Sequence, residues 1–348
     1  MLRRKNNRSC YTKAMRKTAH GFSAKGLILF LVIAGIIAVV YYCINNQAMQ
    51  DYFASLGYEP TPELDGIISD DEYTSDGKLI LYASRPELQE AEDFNATCYT
   101  ERDSKNSSVL GCYKDRKIYV YNITDKELEG IRETVLAHEL LHAVWDRMSN
   151  KDRKNLEDDL ENAYQANLDS LHDHMKGYTS EEYFDELHSI IGTQLPASAI
   201  SIDLADHYAK FFANRNKIVS FYNQYNGKFE ELEKNASELA GQIDEKRAEI
   251  ETKTAQYQAD ATALSRDIEN FNRRANSGDF ASQADFQAER SELLNRQEQL
   301  NADYEALSAL INETNDIIEQ YNNNVAASNK LYDTVNSRVN QSDNSISE

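Results

Sequence analysis

Val135-Leu-Ala-His138-Glu139-Leu-Leu-His142-Ala-Val-Trp145 is apolar at every position except two histidines and one glutamate. A helix with apolar residues on all faces is a buried one. Helical spacing of four residues puts His138 and His142 on the same face, where both imidazoles can grip one metal ion. Glu139 is then placed to take a proton from water at that metal. Burying a carboxylate beside two imidazoles costs several kcal/mol unless something pairs them, and a divalent cation does so. If the histidines were satisfied by hydrogen bonds alone, Glu139 would lack a cationic partner.

Upstream, Lys117–Ile123 (KIYVYNI) is β-branched and aromatic and reads as a strand. Thr124-Asp-Lys-Glu127 reads as a capping box opening the motif helix, which is expected to run to about Asn150. A catalytic zinc site uses three protein ligands and leaves one position open. AVWDRM follows His142, so the three-histidine continuation HExxHxxGxxH is absent and the third ligand lies elsewhere. A second capping box, Thr179-Ser-Glu-Glu182, opens a helix expected to run to about Ile191. Its apolar stripe is Tyr183, Phe184, Leu187, Ile190 and Ile191, and Glu186 borders that stripe. Glu186 is the favoured third ligand over Glu182, which has a capping role; Asp185 and His188 remain alternatives.

A capped HELLH helix, preceded by a strand and followed 44 residues later by a glutamate helix, resembles the gluzincin branch of zincin metallopeptidases. The stretches Glu186-Leu-His-Ser-Ile-Ile-Gly-Thr, His207-Tyr and Phe211-Phe-Ala-Asn-Arg resemble uncharacterised membrane-anchored bacterial members. The resemblance covers residues 75–215 and implies an α+β zincin-like metallopeptidase domain. It also implies zinc (Zn2+) held by His138, His142 and Glu186, Glu139 as general base, and a protein or peptide substrate. By the same resemblance an edge strand, here Lys117–Ile123, would line the cleft and pair with extended substrate. The chemistry needs a second donor to the oxyanion, for which Tyr178, His207 and Tyr208 are candidates.

Gly26 to Ile44 runs 19 residues without a charge, about 28 Å as a helix, close to a bilayer's hydrocarbon thickness. Residues 1–25 carry eight Lys or Arg and no acid, which leaves the rest of the chain at −29 against −21 overall. The positive-inside rule therefore places residues 1–25 in the cytoplasm and residues from about 46 onward outside. The expectation is a single-pass, uncleaved cell-membrane anchor over residues 26–45. In an oxidising compartment Cys98 and Cys112, which bracket NSSVLG, are expected to form a disulfide across a hairpin. With 37 basic against 58 acidic side chains, nucleic acid is not the expected partner. Residues 46–110 show turn signals around short β-like runs such as Leu79–Ala83.

Beyond about Lys217 glycine and proline become scarce and apolar residues recur at alternating steps of four and three: Tyr225, Phe229, Leu232, Ala236, Leu239, Ile243, then Ile250, Tyr257, Leu264, Phe271. Asn276-Ser-Gly-Asp279 is a turn signal. A second seam is expected through Phe286, Leu293, Leu300, Tyr304, Leu307, Ile311, Ile318, Tyr321, Val325, Tyr332 and Val335. Two helices of near-equal length around one turn imply a long antiparallel α-helical coiled-coil hairpin, or else a parallel two-chain coil broken locally. The expected domains are thus a basic cytoplasmic tail (1–25), an anchor (26–45), a zincin-like domain (46–215), a coiled-coil hairpin (216–340) and a disordered tail (341–348). Two functions compete. One is a membrane-anchored zinc endopeptidase whose hairpin docks a partner protein or self-associates. The other is a non-enzymatic coiled-coil surface adhesin or scaffold with a structural metal.

Overall fold

The computed structural model describes residues 24–99, 109–172, 174–176, 178 and 182–339. The basic tail up to residue 23, the turn at 106–108, the capping residues 179–181 and the tail 341–348 lie outside the described residues. The chain forms two compact units, one ending at Ala54 and the other starting at Ser55. The first holds α1 (Ala24–Asn45) and most of α2 (Gln47–Ser55). Over Ile28–Asn45 mean hydropathy is 2.5 and nothing is buried, so α1 is long and apolar enough for a membrane span or a signal sequence.

The second unit begins with α3 (Pro62–Asp70) and α4 (Ser75–Ala83). Each is opened by a threonine: the Thr61 hydroxyl accepts from the Leu64 amide and the Thr74 hydroxyl from the Gly77 amide. Leu79–Ala83, expected as a β-like run, is instead the end of α4. The cap and a buried Gly77/Leu81 pair, four residues apart, override its strand propensity. Next come β1 (Glu87–Gln89), α5 (Ala91–Cys98), β2 (Gly111–Lys114) and β3 (Lys117–Tyr121).

The strands form one sheet in the order β1-β3-β2, with β1 parallel and β2 antiparallel to β3. Asp115 and Arg116 join β2 to β3 with φ of 52° and 62°, the double positive-φ turn that suits a right-twisted hairpin. Cys98 and Cys112 are disulfide-bonded as expected. The bond ties the end of α5 to β2, however, and does not cross a hairpin.

The motif helix, α6 (Ile131–Arg147), starts later than the Thr124 capping box implied. Asp125, not Thr124, accepts from the Glu127 amide and closes only a 3-10 turn at Lys126–Leu128. Gly130, at φ 94°, then bends the chain into α6. After it come α7 (Asn150–Ala166), α8 (Leu168–Leu171), α9 (Tyr183–Gln194), a 3-10 turn at Ala197–Ala199, and α10 (Ile202–Tyr208). The chain ends in α11 (Arg215–Ser277) and α12 (Gln283–Val335).

The core is assembled around α6. Its Leu136, Leu140, Leu141 and Ala143 are fully buried, together with Ile118 of β3 and Leu187 and Ile191 of α9. The roots of the last two helices, Ile218 of α11 and Leu331 and Val335 of α12, belong to the same apolar cluster. Farther out α11 and α12 pair antiparallel through Lys246–Glu313, Asp267–Arg296 and Arg274–Glu289 ion pairs. Such partly exposed pairs add little stability each, but their positions set the register. The arms are about 95 and 80 Å long at 1.5 Å per residue.

The α11 seam holds, with Ile243, Leu264 and Phe271 buried. The α12 seam holds in part: Leu307 and Val335 are buried and Phe286, Leu293, Leu300, Ile318, Tyr321 and Val325 half-buried, whereas Tyr304, Ile311 and Tyr332 are exposed and Leu310, Thr314, Ile317 and Leu331 are buried instead.

Helix α9 lies close to α6 because residue 192 has no side chain. A Cβ on Gly192 would come within 2.3 Å of the Leu141 side chain and 2.7 Å of the Tyr208 ring, both fully buried. Gly192→Ala is therefore expected to destabilise the fold by about 1–3 kcal/mol. Denaturant unfolding of the purified protein checks this, and an unchanged midpoint would contradict the packing described.

Candidate metal centre

Four residues of α6 and α9 converge on one point. The Nε2 atoms of His138 and His142 are 3.1 Å apart. One carboxylate oxygen of Glu186 lies 3.4 Å from His138 Nε2, and the other lies 3.5 Å from His142 Nε2. A tetrahedral ion with bonds of about 2.0–2.1 Å needs ligand atoms about 3.3–3.4 Å apart. Each imidazole has one Glu186 oxygen near that spacing, a different oxygen for each, and two imidazoles with one carboxylate are a donor set suited to zinc. The donor atoms of His138, Glu139 and His142 also lie within 4.8 Å of one another, a group able to hold a metal ion.

Glu139 and Glu186 differ in charge preference, which separates their roles. Burial raises Glu139 above the ordinary carboxylate range, and the two imidazoles only partly offset this. Burial acts on Glu186 too, but His138, His142 and a hydrogen bond from Tyr178 outweigh it and hold its carboxyl at about 2. The two carboxylates are thus pushed in opposite directions, Glu186 toward the ionised form and Glu139 toward the protonated one. Glu139 is nearly buried beneath β2, where a Cβ on Gly111 would lie 2.7 Å from its carboxylate oxygen.

The His142 ring is oriented from behind. Its Nδ1 donates to Asp185 at 2.8 Å, because a carboxylate there can only accept, and this leaves Nε2 free to face the site. Burial lowers the pKa of His142, but Asp185, Glu139 and Glu186 together raise it to about 9. Asp185, weighed as a ligand in the sequence, is therefore an orienting partner. The visible signal was its place directly before the candidate ligand.

The remaining candidates separate by helical phase. Glu182 occupies the N-cap position of α9 without a side-chain cap bond. His188 lies on another side of α9, where its Nε2 meets His207 Nε2 at 2.9 Å. It is sandwiched between Trp145 and Tyr208, with ring centroids 5.2 and 5.3 Å away. Burial first, then neighbouring imidazoles, pushes His188 well below its usual value, and burial takes His207 to about 4. The Tyr208 hydroxyl donates to the His188 carbonyl at 2.8 Å. His188, His207 and Tyr208 are accordingly removed from the site, and of the three expected oxyanion donors only Tyr178 stands beside it. The expected edge strand is also corrected: β3 is hydrogen-bonded on both sides, and β1 and β2 are the edges.

No family model, no curated protein and no solved structure matches the chain.

Glu186→Ala is expected to abolish stoichiometric metal binding, whereas Glu182→Ala leaves it intact. Metal analysis of the two purified variants checks this, and the opposite pattern would reassign the ligand.

Protonation gives a second prediction. In the metal-free protein the raised pKa of His142 contributes stability below about 6.5 that fades as pH climbs through about 9. The lowered pKa of Glu186 contributes stability above about 4.5 that fades as pH falls through about 2. Both contributions are thus complete from about 4.5 to 6.5. At pH 7 a metal displaces the His142 proton, so titration calorimetry in buffers of different ionisation enthalpy should detect about one proton released per ion.

Proposed function

We propose that the chain is a zinc-dependent endopeptidase, anchored through α1 with residues 1–25 cytoplasmic, that hydrolyses peptide bonds outside the membrane. The observation that carries this reading is the convergence of His138, His142 and the Glu186 carboxylate, one oxygen toward each imidazole, with the Glu139 carboxylate beside them. A zincin-like gluzincin assignment is part of the same proposal, supported by HELLH on a buried helix and a ligand glutamate from a second helix.

When bound, zinc supplies a Lewis acid that polarises a carbonyl and makes water acidic near neutral pH. His138, His142 and Glu186 would hold it, and Asp185 orients the His142 ring through its Nδ1. Glu139 takes the proton of the attacking water and then gives it to the leaving amine nitrogen. Its raised pKa fits that two-way transfer. Tyr178, bonded to Glu186, brings a hydroxyl donor near the place where oxyanion charge develops. Strand β2 pairs with β3 on one side, and its Gly111 adjoins Glu139, so an extended peptide added along β2 would pass the site.

The competing structural-metal scaffold would use Glu139 as a fourth ligand. Glu139→Gln separates the two. In the endopeptidase it retains about one zinc per chain and lowers casein hydrolysis by at least about 100-fold, the low end of what a positioned base contributes. Full turnover in this variant would remove Glu139 as the base. Loss of zinc instead would favour the scaffold.

A further inference from the structure

Helix α9 is held at both ends. Near its start, Asp185 grips His142 and Glu186 faces both imidazoles. At its far end the guanidinium of Arg215, itself 9% exposed, donates from Nη1 to the carbonyls of Ile191, Gly192 and Leu195 at 3.3, 3.2 and 2.7 Å. These carbonyls lie in the last turn of α9 and just beyond it, where a helix has no internal donors and carries its negative dipole end. Arg215 also lies over the Tyr208 ring at 5.6 Å, and the Tyr208 hydroxyl donates to the His188 carbonyl, again on α9. Arg215 is the first residue of α11, the helix that continues for 63 residues into the hairpin. One cation thus joins the root of the arm to the helix that carries Glu186.

We propose that Arg215 is a positioning residue for the metal centre: it seats α9 so that Glu186 meets His138 and His142, and it couples the long arm to that seating. The inference rests on Glu186 being a metal ligand. Arginine differs from lysine here in its planar guanidinium, which lies over the Tyr208 ring while Nη1 reaches the carbonyls. The close approach of α9 to α6 at Gly192 adds to the constraint, because α9 cannot slide without striking Leu141 or Tyr208.

The test uses the full-length protein in detergent, with zinc affinity measured against a chromophoric chelator and site geometry read from the visible absorption of the Co2+-substituted protein. Arg215→Ala is expected to weaken zinc binding by about 10- to 100-fold, the usual effect of losing a group that supports a ligand, and to alter the Co2+ spectrum. Arg215→Lys should fall between it and the parent. Leu331→Ala, at the buried root of the other arm, should lower thermal stability while leaving affinity and spectrum unchanged. Parental affinity and spectrum in Arg215→Ala would overturn the proposal, as would an equal loss in Leu331→Ala. If Arg215→Ala does not fold, the comparison of Arg215→Lys with Leu331→Ala decides in the same way. A parent protein that binds no zinc at all would instead refute the metal reading, and this inference with it.

Discussion

A carboxylate and two imidazoles held 3.1–3.5 Å apart at the margin of an apolar core, each partly exposed, is the constraint around which the second unit is organised. Removing such groups from water costs several kcal/mol unless they are mutually satisfied. In the metal-free protein part of that cost is met by sharing a proton: His142 is held charged while Glu186 stays ionised. A divalent cation does the same more completely. The surrounding shell, with Leu136, Leu140 and Leu141 on one helix and Leu187 and Ile191 on the other, is fully buried. It strengthens every charge interaction within it.

Two carboxylates in one small site differ because their neighbours differ. Glu186 faces both imidazoles and a tyrosine hydroxyl and remains an anion. Glu139, on the same helix as the histidines and covered by β2, is dominated by its own burial. Opposed environments of this kind let one fold provide a permanent anion and a proton carrier side by side.

The hairpin is built into this unit. Ile218, Leu331 and Val335 share the core with α6 and α9, and Arg215 reaches the end of α9. Farther out, ion pairs between α11 and α12 keep the register over a distance much longer than the core is wide.

Local signals were legible wherever the decisive interactions lie close in sequence. The apolar faces of α6, the HELLH spacing, the apolar run of α1, the α11 seam and the Gly278 turn follow from periodicity and residue type, and each appears in the described structure. Leu79–Ala83 was misread because Thr74 capping acts from outside the run itself. The α12 seam was misread only in part: at Ile311 and Tyr332 the adjacent Leu310 and Leu331 are buried instead, and pairing with α11 makes that choice between neighbouring apolar residues. Likewise β3 became the central strand once β1, distant in sequence, paired beside it. By itself, then, the sequence determined that the α6 helix is buried and that His138, Glu139 and His142 lie together on it, because these depend on spacing along one chain segment. Tertiary structure alone decided that Glu186 faces the imidazoles, that Asp185 supports His142, that His188 turns away to His207, and that Arg215 reaches α9, since each depends on how one helix is rotated and seated against another.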